Sequence, residues 1–466
     1  MYTRFASSIV FPLHERLKKH DSVRMRRELE RSQWYPPERL QALQIERLRG
    51  FLADVRDHVP YYRAIFSQHR FEPAQLQSVS DLKKLPFLDK ATIRDNGPEL
   101  QADDAGRLTR FNTGGSTGEP LVFLVGRASV SHDVAAKWRA TRWWGVDIGD
   151  VEVVLWGSPI ELGGQDRIKA VRDRIFRSHL LPAFQMGEEK MDEYLARIRE
   201  LRPRMLFGYA SALALLAAHA ERIGAVMTDT GIKVAFTTGE TLYPPQRAAI
   251  ERVFGTSVAN GYGSRDAGFI AHQCPEGSLH VSSEHIIVEI VDEEGEPVQN
   301  GRQGEVVITH LSTRDFPFIR YRTGDVAVFD DRPCACGRGL PVLREVFGRS
   351  TDFIRTRSGN TMHALALIYE VRDRPGVKAF KFVQEADLSL ELQLVGSEAL
   401  TPQVEATIRE GVLARMGEGT PFKIRRVVEI PPENSGKYRY VSSKATGPGS
   451  PLVGDELSAG RKSHRV

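Results

Sequence analysis

The chain is predicted to be an α/β protein: a large N-terminal domain of helix-covered sheets plus a β-rich subdomain, followed by a small α+β C-terminal domain. Three observations carry this expectation. Between residues 151 and 254, short apolar strands alternate with amphipathic helices, the pattern of a parallel sheet with helices on its faces. From His285, strands follow one another directly, separated by turns such as Glu294-Gly295 and Asn300-Gly301. After Gly348-Arg349 the order becomes strand, strand, helix, strand over about 100 residues.

In chain order, residues 14–66 read as helical. Leu17, Leu29, Leu40, Leu43, Leu48, Phe51, Leu52 and Val55 recur among charged residues, and Pro37 can open a helix after the break at Pro36. Residues 1–66 are therefore expected to form a helical cap on the large domain, which runs from 67 to 348 with its β-rich part from about 284. The basic run from His14 to Arg31 suits a solvated face, or contact with a membrane surface. A helix is expected over Ala128–Trp144, with Val134, Trp138 and Trp143 as its core face. Val151–Trp156 and Ile232–Thr238 read as strands; Met191–Leu201, Ser211–Ile223 and Pro244–Phe254 read as helices. The strands over 285–291, 305–311 and 326–329 belong to the β-rich part. In the C-terminal domain, residues 349–444, strands are expected over 380–383, 388–395 and 422–430, with a helix over Pro402–Met416. The segment 445–466, with Gly447-Pro448-Gly449-Ser450-Pro451, has the composition of a disordered tail.

A length of 466 residues exceeds one ordinary core. The charge of +4, from 64 basic and 60 acidic residues, is too balanced to nominate nucleic acid as a partner. No apolar run approaches the roughly 20 residues that span a bilayer, so no transmembrane segment is expected. No small-residue cleavage site follows Met1–Leu13, and a cytoplasmic location is the expectation. Three cysteines cannot build a disulfide framework; their close grouping points to a reducing compartment and to metal. No sequence feature assigns an oligomeric state.

The stretch Asn112-Thr113-Gly114-Gly115-Ser116-Thr117-Gly118-Glu119-Pro120 organises the chemistry. Its glycines let the backbone offer N–H groups to an anion, and its hydroxyls add donors. It lacks the Gly-Lys-Ser/Thr ending of a P-loop and precedes an apolar run, so it is expected to join two strands. Four further stretches accompany it: Thr237-Thr238-Gly239-Glu240-Thr241; Asn260 to Gly268 (NGYGSRDAG); Tyr321 to Asp325 (YRTGD) with Gly348 to Phe353 (GRSTDF); and Asn434 to Tyr440 (NSGKYRY).

In order and spacing these five stretches resemble the adenylate-forming superfamily of acyl-CoA ligases, in particular its phenylacetate–CoA ligase branch with the capsular-polysaccharide ligase-like members. The resemblance runs from about Ala53 to Lys444. It implies ATP-dependent activation of a carboxylic acid to acyl-AMP with Mg²⁺, followed by transfer to CoA. By that resemblance Thr113, Gly114, Gly115, Ser116, Thr117 and Gly118 would hold the β- and γ-phosphates. Asp266 would hold Mg²⁺. Tyr262 would lie against adenine, with Thr238, Gly239 and Glu240 as the wall at its edge, and Asn260 and Gly263 would also bind the nucleotide. Asp325 would accept the ribose hydroxyls and Arg349 would reach the nucleotide. Lys437 would swing in as a mobile charge, and Asp352 would be the hinge of a mobile C-terminal lid. Leu121 stands where many members carry lysine, and Asp266 where glutamate is commoner. Residues 156–158 and 207–211 are expected to line a pocket for an aryl or other hydrophobic acid.

Cys274, His280, Cys334 and Cys336 make a closed structural zinc set, with His272 as a rival fourth ligand. Two further readings stay open. In one, the acyl group passes to an amine or sugar in surface-polysaccharide biosynthesis. In the other, the chain is a non-catalytic nucleotide-binding scaffold, against which the presence of Lys437, Asp325 and Asp266 argues.

Overall fold

The structure, a computed structural model, describes residues 1–112, 121–156, 167–183, 186, 188–349, 353–357, 361–363, 365–371, 374–417, 419–431 and 440–444. Residues 113–120, Asp352, Lys437 and the segment 445–466 lie outside the described residues.

The chain opens with helical segments Tyr2–Phe5, Ala6–Val10 and Phe11–Leu17, whose junction residues keep helical dihedrals, so they run on as one helix. The helices Ser22–Ser32, Pro37–His58 and Pro60–Gln68 follow. Pro37 and Pro60 each stand in the first turn, where a missing N–H costs nothing. Leu48, Leu52, Val55, Tyr62 and Phe66 enter one core with residues of the later sheet. β1 (Thr109–Asn112) and β2 (Val122–Val125) pair antiparallel with Asn112 opposite Val122, so the glycine-rich residues join the ends of a hairpin.

β3 (Glu152–Trp156), β4 (Ser178–Pro182), β5 (Met205–Gly208), β6 (Val234–Thr238) and β7 (Ser257–Ser264) form a parallel array in the order β4-β3-β5-β6-β7. The helices Glu188–Leu201, Ala210–Arg222 and Pro244–Phe254 connect them and pack Leu195, Ile198, Leu213, Leu216, Ile250 and Phe254 on the strands. β8 (Gly268–Gln273), β9 (Leu279–Val281), β10 (Ile286–Val291), β11 (Gln303–His310), β12 (Tyr321–Asp330) and β13 (Val342–Arg349) continue that sheet antiparallel. The β-rich stretch thus shares one hydrogen-bonded sheet, of 11 strands among the described residues, with the parallel half.

That sheet is strongly curled. β7 and β12 are four strand spacings apart, about 19 Å if the sheet were flat at about 4.8 Å each. Yet the Tyr262 hydroxyl on β7 lies 2.9 Å from the Asp325 carboxylate on β12. Register shifts in β12 beside β13, at Val326/Ala327 and Val328/Phe329, supply the bend. The joint between β13 and β9 is weak, with only Val342 opposite His280 and Leu343 opposite Leu279. Ile270, Ile286, Ile308, Phe318, Tyr321 and Ala327 fill the core of this part of the molecule.

β14 (Phe353–Arg355) and β15 (Thr361–His363) pair with each other. β16 (Val377–Gln384), β17 (Leu390–Gly396), β18 (Phe422–Arg426) and β19 (Val441–Ser443) form a sheet in the order β18-β17-β16-β19. Leu390, Leu392 and Leu394 alternate inward along β17 against Ile408 and Val412 of the helix Pro402–Met416. Thr401 caps that helix, its hydroxyl accepting from the Val404 N–H. Among the described residues no helix is long and apolar enough to cross a membrane.

Two expectations need correction. The strand expected over 422–430 ends at Arg426, which stands opposite Leu394 near the end of β17. In the helix Arg127–Trp143, Val134, Trp138 and Trp143 are only partly buried; Ser131, His132, Ala135, Ala136, Arg139 and Ala140 form its buried face. Small residues let the helix pack closely on Ser22–Ser32, and Arg139 finds a partner inside. Its guanidinium donates to Glu284 at 2.8 Å and to the Ser282 hydroxyl at 3.0 Å, and both ion-pair side chains are fully buried.

Candidate active site

β12 carries two polar side chains, Tyr321 and Asp325, on either side of a register shift against β11. Asp325 accepts a hydrogen bond from the Tyr262 hydroxyl, and its own N–H donates to the Thr323 hydroxyl at 3.1 Å. Gly324 between them has φ +75°, a conformation that L side chains rarely adopt, so Thr-Gly-Asp is a turn that presents the carboxylate. Burial, and then the Asp325 charge, push the Tyr262 phenol well above its ordinary range. It therefore stays a protonated donor, holding an acceptor carboxylate in place.

The second side chain is Tyr321. Its hydroxyl donates to Asp266 at 2.6 Å, and the Ser264 hydroxyl donates to the other carboxylate oxygen. Burial alone would raise the Asp266 carboxyl, but these two bonds and the charge of Lys90 hold it below the usual range. The result is an ionised carboxylate fixed by hydroxyl donors, a group suited to a hard divalent cation. Arg265 donates to the Asn112 carbonyl at 3.1 Å, tying the turn of Asp266 to the residue from which the glycine-rich stretch departs. Tyr321, Ser264 and Arg265 lie inside the quoted stretches without an expected role of their own, and Lys90 lies outside all of them.

Thr238, Gly239 and Glu240 leave the carboxyl end of β6, beside the parallel strand β5 that ends at Gly208. Such ends are where ligands sit in α/β sheets. Glu240 accepts from the Ser211 N–H at 3.0 Å, in the first turn of the helix Ala210–Arg222. The Trp156 and Tyr209 rings stack at 4.2 Å. A Cβ on Gly239 would come within 3.3 Å of the Tyr209 ring and 3.4 Å of Trp156, so backbone and the two rings form one close wall. Asn260 donates its N–H to Gln273 at 3.0 Å. Gly263 passes so close to β8 that a Cβ would meet the Gly268 carbonyl at 2.3 Å. Arg349 stands opposite Asp325 in the β12–β13 ladder.

Away from this cleft, Cys274, His280, Cys334 and Cys336 bring their ligand atoms within 4.8 Å of one another. The Cys274 and Cys334 sulfurs are 3.7 Å apart, and Cys336 Sγ lies 3.2 Å from His280 Nε2. Thiolates 2.3 Å from a tetrahedral zinc ion stand about 3.8 Å apart, so the donor set and its spacing fit zinc. His280 Nδ1 faces the Leu340 carbonyl at 3.2 Å, which orients the ring. Burial lowers the His280 pKa to about 4 and keeps the ring neutral. The rival, His272, is fully buried, stacks on Phe269 and stands outside the cluster.

Two family descriptions match this chain: AMP-binding enzyme over residues 112–313, and CapK C-terminal domain over residues 354–444. The chain belongs to the adenylate-forming superfamily. Within it, relatives fall in the phenylacetate–CoA ligase and CapK branch. A phenylacetate-coenzyme A ligase of Thermus thermophilus is 27% identical over 439 residues, covering 87% of this chain and 97% of that protein. Protein CapK of Staphylococcus aureus is 22% identical over 408 residues, covering 85% and 88%. Among solved structures, a 2-hydroxyisobutyryl-CoA ligase in its postadenylation state superposes with a TM-score of 0.72 at 20% identity, over 88% of this chain and 90% of that one. An amide bond synthetase, McbA from Marinactinospora thermotolerans, superposes at 0.51 over 70% and 66%, also at 20% identity. The fold of this superfamily member is that of ligases with a separate C-terminal domain.

Proposed function

We propose that this superfamily member is an AMP-forming acid–CoA ligase. A carboxylate oxygen attacks the α-phosphorus of ATP and the bond to the bridging oxygen of pyrophosphate breaks. The CoA sulfur then attacks the acyl carbon of the mixed anhydride, the thiol proton is lost, and AMP leaves. The observation that carries the reading is the convergence of Asp325, Tyr262, Tyr321 and Asp266 beside the mouth of the glycine-rich hairpin, in a chain with phenylacetate-coenzyme A ligase relatives over most of its length.

Asp325, held by Tyr262, would take the ribose hydroxyls, since a carboxylate can accept from both. Thr113 to Gly118 would cradle the β- and γ-phosphates, Tyr262 and residues 238–240 would bound adenine, and Asn260 and Gly263 would line the nucleotide beside them. Asp266 would hold Mg²⁺, which supplies positive charge against the phosphates. Arg349, whose backbone pairs opposite Asp325 in the ladder, would reach the nucleotide. Lys437 would bridge acyl carboxylate and phosphate, with Asp352 as the hinge about which the C-terminal domain turns between the half-reactions. The Trp156–Tyr209 stack beside Gly239 favours a flat, hydrophobic acid, such as an aryl acetate, since offset aromatic faces suit another ring. Cys274, His280, Cys334 and Cys336 would hold a structural zinc ion at the weak β9–β13 joint.

The CapK relative and the match of the C-terminal domain support a second reading, in which an amine or a sugar accepts the acyl group. Pyrophosphate exchange across a panel of aryl and aliphatic acids tests the first half-reaction. AMP release with and without CoA tests the second. Exchange driven by a hydrophobic acid, with CoA stimulating AMP release, is expected. Exchange accompanied by AMP release that CoA does not stimulate would transfer the assignment to the amine or sugar reading. ATP binding without exchange for any acid would leave a scaffold.

A further inference from the structure

The first helix buries the wrong face for an ordinary surface helix. Its inward positions are Ala6, Ser7, Phe11 and Glu15. Its large apolar residues point outward at intervals of four: Phe5 is 52% exposed, Ile9 58%, Leu13 57% and Leu17 77%. An amphipathic surface helix puts such a stripe against the core. A contiguous exposed stripe instead marks a contact site. The neighbouring helix Arg167–Phe176 also exposes Val171 and Ile175, one turn apart. It touches the first helix through the Tyr2 hydroxyl, which donates to the Ile175 carbonyl at 2.6 Å, and through the Phe11 and Phe176 rings at 5.8 Å.

The charge around the stripe is mainly basic, and the carboxylates beside it are engaged: Asp150 accepts from the Thr3 hydroxyl at 2.8 Å and Asp173 pairs with Arg172. Arg4 and Arg16 are exposed on the same helix, Lys18 and Lys19 are exposed in the turn that ends it, and the Arg177 guanidinium lies over the Tyr2 ring at 4.0 Å. The one carboxylate of residues 1–20, Glu15, is buried and engaged by His20 and Ser22. At the Leu13–Leu17 end of the stripe a cavity of about 500 Å³ is lined by Arg16, Lys19, Arg24, Arg27 and Arg31. Its other carboxylate, Asp21, is taken up by Arg24.

We propose that this face docks on an anionic phospholipid surface, with Phe5, Ile9, Leu13 and Leu17 in the acyl boundary and the basic groove on lipid phosphates. An in-plane helix with large apolar residues on one side and cations flanking them is built for that interface. A second copy of this chain is the poorer occupant, because a two-fold contact would set the two basic rims against each other. The inference stands on residues remote from the reaction and is independent of the acid or acceptor.

The test is cosedimentation of the full-length protein with vesicles of phosphatidylcholine alone, or mixed with phosphatidylglycerol. Binding to the mixed vesicles that weakens as salt rises is expected, with little on the neutral ones. I9E/L13E should lower partitioning at least about tenfold, and R16E/K19E should remove the preference for anionic lipid, both with wild-type pyrophosphate exchange and melting. Leu17→Glu, at the most exposed position, serves if the double variant does not fold. The proposal is overturned if the protein stays in solution with anionic vesicles, if I9E/L13E binds like wild type, or if the stripe proves to mediate a dimer that I9E/L13E abolishes.

Discussion

Asp325 and Tyr262 show how one hydrogen bond can prepare a nucleotide site. The phenol is a neutral donor because burial makes ionisation costly, and the carboxylate it holds keeps acceptor capacity for further hydroxyls. Tyr262→Phe is expected to raise the KM for ATP about tenfold while leaving kcat near wild type, as loss of one bond to a charged group would. Asp325→Ala should cost at least about a hundredfold in kcat/KM for ATP. Equal KM values for Tyr262→Phe and wild type, in steady-state pyrophosphate exchange, would separate Asp325 from the ribose. Asp266 makes a different prediction, since Ser264 and Tyr321 would remain to orient its replacement. Asp266→Asn should lower exchange about a hundredfold and recover in part as Mg²⁺ is raised. Loss that no Mg²⁺ concentration relieves would mean that Asp266 only shapes its turn.

Among the elements, the helix Arg127–Trp143 fastens the two halves of the large domain. Arg139 reaches Glu284 at the head of β10, and Glu284 also accepts from the Ser32 hydroxyl at 2.7 Å, so three distant segments share one buried carboxylate. Removing the cation leaves that charge without compensation. Arg139→Leu should therefore destabilise by about 3–5 kcal/mol, read by denaturant unfolding, and R139L/E284L should recover much of it. A double variant as unstable as the single one would show that lost packing, not the stranded charge, is the cost. In the same layer His285 and His310 are neutral. Burial is the chief cause, and for His285 the neighbouring His132, Arg47, His310 and Arg139 add to it. Asp133 on the same helix stands 3.5 Å from His132. The folded pKa of both rings lies well below the unfolded value of about 6.5. Their contribution is thus complete above about pH 6.5 and is lost as pH falls below it, at up to about 1.4 kcal/mol per unit for each ring. Stability that stays flat between pH 6.5 and 5 in chemical denaturation would contradict this assignment.

At the scale of the whole molecule, the curl of one sheet builds the cleft, and its thinnest joint is the two residue pairs between β9 and β13. The Cys274–His280–Cys334–Cys336 cluster straddles that joint, from the β8–β9 turn to the β12–β13 connection. Chelation of the zinc proposed there should lower the melting transition by at least about 5 °C and weaken ATP binding with it, because Asp325 rides on β12. Protein carrying well under one equivalent of zinc by elemental analysis, with unchanged melting after chelator, would dismiss the metal.

Much of this was readable from amino-acid order. Periodicity placed the helices Pro244–Phe254 and Pro402–Met416 at their observed bounds and the strands expected over 151–156 and 232–238 nearly so, because hydrophobic spacing is a local property that each element must satisfy alone. It gave no strand at β4 or β7. The motifs carrying Tyr262, Asp266 and Asp325 were legible for the same reason: turn glycines and polar residues sit next to one another in the chain. Packing supplied the rest. That Tyr321 steadies Asp266, that Lys90 lends it charge, and that Arg139 rather than a tryptophan faces inward all depend on residues far apart in sequence. Their meeting requires the bulges and twist that bring β12 over β7, and no local spacing encodes where a curved sheet closes on itself.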